Sequence, residues 1–188
     1  MFSIDSARGT TLWRVDRWDA EATERLARLL GRQPLGADFA ERGVRPYLTT
    51  VVDGNLITTN GWTRLSNLLT NQGATQALDA THTRIGVGNS NTAETYADTD
   101  LGAAAGSANR WFQLVSGAGS LGTRTLAFSA TFGTADGNFT WNEFGIDVGN
   151  TASGNTVAAL LWNHKAGIAQ GTKASGQTWT ATATVTFS

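Results

Sequence analysis

Gln177-Thr178-Trp179-Thr180-Ala181-Thr182-Ala183-Thr184-Val185-Thr186-Phe187-Ser188 alternates without a fault. Trp179, Ala181, Ala183, Val185 and Phe187 fall on one side and Thr or Ser on the other. This is the period-two pattern of a strand with one face packed inward and the other turned to solvent or a partner. Residues 125–132 repeat it through Leu126, Phe128, Ala130 and Phe132, and Asp136-Gly137-Asn138 then turns the chain. Next, Phe139 and Trp141 share one parity while Phe144, Ile146 and Val148 share the other, which a bulge near Asn142 or Glu143 would reconcile. Further strands are expected over 83–87, 110–116 and 156–164. Residues 47–52 and 56–59, flanking Asp53-Gly54-Asn55, read as a hairpin. Roughly five to seven short strands joined by Gly-rich turns predict a mainly β fold, an antiparallel β-sandwich of jelly-roll or immunoglobulin-like order.

The composition agrees. Of 188 residues, 40% are apolar and only 15% charged, with 22 Gly and 2 Pro. Ordinary domains carry roughly a quarter charged residues, so Thr, Ser, Asn and Gly must supply the polar surface. A net charge of −1 argues against a partner made of nucleic acid. The absence of cysteine excludes disulfides, thiolate metal sites and a Cys nucleophile. The first residues carry Asp5 and Arg8 with no long apolar run, so no signal peptide is expected. No stretch approaches the ~20 apolar residues that span a bilayer, so no membrane partner is expected.

Charge divides the chain. About half of the charged residues precede Pro46. We therefore expect an N-terminal arm, residues 1–45, and a β-sandwich domain, residues 46–188. The arm holds one helix, over about 19–31: Asp19 caps it, Glu21 sits in its first turn, and Ala22, Leu26, Leu29 and Leu30 share a face before Gly31 and Pro34. So short a helix is unstable alone in water. Its apolar stripe must pack on its own domain or on a partner. Leu12, Trp13, Val15, Trp18, Leu26, Leu29 and Leu30 are accordingly the expected partner interface. A second short helix before the sandwich is carried by Trp62, Leu65, Leu68 and Leu69, between Asn60-Gly61 and Gly73.

Signals for catalysis are weak, and the chain reads as non-enzymatic, with no cofactor, catalytic or metal site. His82 and His164 read as surface or edge histidines. Asp98, Asp100 and Glu94 could ligate calcium, but the stretch lacks the ligand density and central Gly of an EF-hand, and a solvated loop is favoured. Glu143, among Trp141, Asn142 and Phe144, could be a buried acid; a structural hydrogen bond at a bulge is favoured. Gly86-Val87-Gly88 begins like a dinucleotide fingerprint without completing one, and Asn138-Phe139-Thr140 is a chance glycosylation sequon. The seven tryptophans offer sugar-stacking or interface anchors; Trp111, Trp141, Trp162 and Trp179 suit the core better, and Trp13 and Trp18 an interface.

From Leu56 onward an ordered set of motifs resembles tailed-bacteriophage virion proteins. The set comprises the helix from Gly61 to Leu69, the Arg84-Ile85-Gly86-Val87-Gly88-Asn89 strand with its polar loop to Ala93, and Asp98-Thr99-Asp100-Leu101-Gly102. It continues with Trp141-Asn142-Glu143-Phe144-Gly145-Ile146 and the Thr-rich last strand. The resemblance covers roughly the last two-thirds of the chain; the arm has no counterpart. It implies a virion structural protein, foremost a capsid decoration or cement protein. Its partners would be the major capsid protein or another virion protein and copies of itself, with a host-surface glycan as a further ligand. Its place would be the capsid surface, after synthesis in the host cytoplasm. A tail or baseplate appendage, a carbohydrate-binding module using exposed Trp, and a hydrolase centred on Glu143 are the alternatives.

Overall fold

The computed structural model describes residues 9–73, 76–120, 124–149 and 152–187. Ser188 and residues 1–8, on which parts of the last-strand and N-terminal readings fall, lie outside these. In chain order the elements are β1 (Gly9–Trp18), α1 (Ala20–Leu30), α2 (Gly36–Glu41), β2 (Leu48–Asp53), β3 (Leu56–Ile57), α3 (Thr59–Thr70), β4 (Arg84–Gly88), β5 (Arg110–Leu114), β6 (Gly117–Ser120), β7 (Thr125–Phe132), β8 (Glu143–Asp147), β9 (Leu161–Ala166) and β10 (Thr178–Phe187). One sheet runs β2-β1-β10-β7-β6 and the other β3-β9-β8-β4-β5, every pairing antiparallel. The mainly β sandwich expected from the alternation is present.

The alternation of β10 sets the core. Trp179, Ala181, Ala183 and Val185 are buried against Ile85, Val87, Phe144 and Ile146 of the other sheet. The Thr side of β10 points outward, and its hydroxyls meet those of β7 across the strands: Thr182 and Ser129 at 3.1 Å, Thr180 and Thr131 at 3.1 Å. Aromatic rings join the sheets. Trp13 stacks on Phe144 at 4.7 Å between centroids, and Trp141 contacts Phe132, Phe144 and Trp179 edge-on.

The split at Pro46 is corrected by β1. Residues expected to form an arm are a strand lying between β10 and β2, in register from Gly9 opposite Phe187 to Trp18 opposite Thr178. The physical reason is that Thr11, Trp13, Val15 and Arg17 alternate inward, so this strand completes the core. The expected partner interface is corrected with it. Trp13, Val15, Trp18 and Leu26 are buried in their own domain, and Leu30 packs half-buried beside Leu26; Leu12 and Leu29 stay exposed, at 45% and 63%.

Helix α1 forms as read. The Asp19 carboxylate accepts from the Ala22 N–H at 2.8 Å, and Gly31 ends the helix in a left-handed conformation, φ 67°. The unexpected α2 supplies Phe39, which stacks on Trp18 at 4.3 Å and closes a small second core with Leu26 over the outer face of the β1 sheet. Helix α3 lies flush on β9 because Gly61 carries no Cβ; one there would sit 2.1 Å from the Trp162 carbonyl.

Three further expectations change. Asp53-Gly54-Asn55 does not close a hairpin: β2 pairs with β1 while β3 pairs with β9, so this turn carries the chain from one sheet to the other. The bulge lies elsewhere than at Asn142 or Glu143. The register slips where Ile146 and Asp147 face β9, and β8 starts only at Glu143, after a corner held by Thr140 bridging Thr172. The strand expected over 156–164 begins later, at Leu161.

Candidate functional site

The outer face of the β8 sheet is where the sequence motifs meet. Strand β8 is buried along its whole length. Its inward side chains, Phe144 and Ile146, belong to the core; of its outward ones, Glu143 lies beneath the connection between β4 and β5, and Asp147 accepts from the Gly149 and Leu160 N–H groups of the connection between β8 and β9. Gly86, Gly88 and Gly145 flatten this face. A Cβ on Gly86 would lie 2.3 Å from the Phe112 ring, one on Gly88 2.2 Å from a Glu143 oxygen, and one on Gly145 2.7 Å from Leu161. The Gly86-Val87-Gly88 pair therefore makes room for a ring and a carboxylate. Leu101, Phe112, Ala152, Ala159 and Leu161 form the apolar part of this extra layer.

Its polar part is a chain of three side chains. Glu143 is fully buried; one of its oxygens accepts from the Ala103 N–H and the other from the Gly102 N–H, each at 2.8 Å. The second oxygen also lies 2.8 Å from His164 Nε2, while His164 Nδ1 lies 2.6 Å from Asp98. Asp98 further accepts from the Thr95 N–H at 2.8 Å and hydroxyl at 2.6 Å. Two flanking ion pairs tie down the same connection. Arg110, buried, pairs with Asp100 and donates to the Ala103 carbonyl at 3.1 Å. Glu94 holds Lys165 and the Ala166 N–H, both at 3.1 Å.

Burial alone would lower the His164 pKa, but hydrogen bonds and charge from Glu143 and Asp98 outweigh it and hold the value above the usual imidazole range. Burial likewise pushes Asp98 up, and its bonds to Thr95 and His164 overcome this and hold it below the usual carboxylate range. A ring with a carboxylate on each nitrogen is an imidazolium donating twice. In this arrangement His164 is a cationic clasp between Glu143 of β8 and Asp98 of the connection between β4 and β5. Both ring nitrogens face carboxylates and both Glu143 oxygens accept backbone N–H bonds, so the geometry describes a latch that fixes backbone.

Glu143 makes hydrogen bonds, as expected, but from a regular stretch of β8 and not at a bulge. His164 is corrected: it is buried because β9 is covered by the Asp98 segment. The solvated loop expected at Asp98 and Asp100 is corrected too, since both carboxylates are tied to His164 and Arg110. His82 stays near the surface, 2.7 Å from Asp79. Among the described residues no group of three or more His, Asp and Glu side chains is placed to hold a metal ion. Sequence reasoning missed Arg110 and Lys173. Lys173 is buried, donates to the Gly133 carbonyl at 2.6 Å and the Asn138 side-chain oxygen at 2.7 Å, and is lowered by burial to about 8.

Two surface depressions complete the candidates. Arg25, Leu26, Arg28, Leu29, Arg42 and Val44 line a groove of about 570 Å³ between α1 and the segment after α2. Trp62 and Tyr96 border a smaller cleft beside β3. No family model, curated protein or solved structure matches this chain.

Proposed function

We propose that this chain is a non-enzymatic structural protein of a tailed-bacteriophage virion, seated on the outer capsid shell as a decoration or cement protein. The observation that carries the reading is the groove beside α1. Leu26 and Val44 form its floor, Leu29 stands exposed on its rim, and Arg25, Arg28 and Arg42 surround it. An apolar floor ringed by guanidinium groups suits an acidic, apolar patch on a shell subunit. The docking element is then a preformed groove on a folded domain, which loses less entropy on binding than an ordering arm. The sealed layer over β8 supports the same reading, because its polar groups serve to fix the β4–β5 connection.

The test is incorporation into purified particles. Leu29→Asp combined with Arg42→Glu changes only the groove surface and is expected to remove the protein from the shell while leaving its thermal unfolding unchanged. Full occupancy by this variant would overturn the groove, and absence of the unaltered chain from particles would overturn the virion reading. Copy number separates the capsid from a tail or baseplate position.

A further inference from the structure

The fold buries Trp13, Trp18, Trp141, Trp162 and Trp179. Trp62 is treated differently. It stands on the first turn of α3, 38% exposed, and Tyr96, 64% exposed, is held nearby because its carbonyl accepts from the Thr59 N–H at 2.8 Å. The two rings border a half-open cleft of about 270 Å³, which Thr10, Asn55 and Leu56 also line.

The chemistry of this lining is narrow. Among the described residues it holds two aromatic rings, a hydroxyl, an amide and aliphatic carbon, and no ionised side chain. Exposed indole and phenol rings accept the apolar C–H face of a flat ligand, and the lack of charge disfavours an ionic one. The amide nitrogen of Asn55 is buried and has no hydrogen-bond partner among the described residues. Its terminal torsion is soft, so a turn of the amide would offer this donor to a ligand hydroxyl and satisfy it. A molecule with apolar faces, many hydroxyls and no charge is a neutral sugar.

We propose that this cleft is a binding subsite for a neutral glycan, which stacks on Trp62 and Tyr96 and is hydrogen-bonded by Asn55 and Thr10. The inference stands independently of the virion reading, since it rests on a different surface from the α1 groove. On a virion, such a site would engage a host-surface glycan.

The experiment is titration calorimetry of the full chain with gluco-, manno- and galacto-configured neutral oligosaccharides and N-acetylglucosamine oligomers, with sialyllactose as the charged control. At least one neutral oligosaccharide is expected to bind, more tightly than sialyllactose. Trp62→Ala and Tyr96→Ala should each weaken it by roughly tenfold, the effect of losing about 1.4 kcal/mol of stacking contact. Asn55→Ala should weaken it by several-fold. Leu69→Ala, on the exposed end of the same helix, should leave it unchanged. Tyr96→Ala lies outside α3, so it remains decisive if Trp62→Ala perturbs the helix. No binding across the neutral panel would overturn the proposal, as would affinity that survives both aromatic substitutions or falls equally in Leu69→Ala.

Discussion

Replacing Glu143 by Ala tests the latch most directly. The carboxylate accepts from the Gly102 and Ala103 N–H groups and meets His164, all at 2.8 Å, with no exposure to water. Its removal leaves one buried backbone donor, the Ala103 N–H, unpaired at about 1–3 kcal/mol, while the Gly102 N–H, on an exposed residue, can turn to water. It also strips one counter-charge from a buried imidazolium, and breaking such a pair typically costs about 3–5 kcal/mol. These contributions overlap, so the expected loss is about 3–5 kcal/mol in equilibrium denaturant unfolding. Glu143→Gln keeps the shape and one acceptor oxygen, and should cost about half as much. Hydrogen exchange supplies the local readout: the Gly102 and Ala103 amides should lose protection before the strands do. The pH dependence follows from the two shifts. His164 is held above its unfolded value, so its contribution is complete below about pH 6.5 and is lost as pH rises through the folded value. Asp98 is held below its unfolded value, so its contribution is present above about pH 4 and is lost as pH falls through the folded value. The latch is therefore strongest between about pH 4 and 6.5, and Glu143→Gln should flatten its alkaline side. A loss under about 1 kcal/mol in Glu143→Ala, with Gly102 and Ala103 still protected, would refute this reasoning.

Three further outcomes follow from single residues. Lys173, lowered to about 8, gives up its proton in the folded state before the unfolded chain does. Stability should therefore gain from this group as pH rises from about 8 to 10.4, and Lys173→Met should abolish that gain in denaturant unfolding at the two ends. Trp13→Ala should destabilise the fold by about 3–5 kcal/mol, as for a large core side chain, where a docking arm would leave thermal unfolding unchanged. Gly61→Ala forces a Cβ onto the Trp162 carbonyl, so α3 must lift from β9; a cost of about 1–3 kcal/mol is expected, read from the unfolding midpoint.

Much of the fold was legible because it is written locally. The faultless alternation from Gln177 to Ser188 and the period-two run from Thr125 to Phe132 marked two strands, seen as the neighbours Thr178–Phe187 and Thr125–Phe132. Asp19 and Gly31 marked both ends of α1, since capping is decided by a few adjacent residues. The motifs at Gly86, Asp98 and Glu143 were also visible as separate signals, but their meeting was not: His164 is 66 residues from Asp98 and 21 from Glu143. Nothing in the neighbourhood of a lone histidine reports what will cover it. The exposure of Trp62, against the burial of its better-placed relatives, was equally invisible in a list of tryptophans.

The sequence by itself determined the strand periodicity, the caps of α1 and the class of fold, because each depends on residues within a turn or a strand of one another. Tertiary structure alone decided the fate of residues 9–45. Their concentration of charge reads as an arm, yet β1 lies against β10, from the opposite end of the chain. Arg17 could turn inward there because the Trp179 ring lies 4.4 Å from its guanidinium and Gln170 accepts two of its hydrogen bonds, at 2.9 and 2.8 Å. A buried cation is tolerated only when such partners close around it, and both come from more than 150 residues away, where no local pattern can announce them.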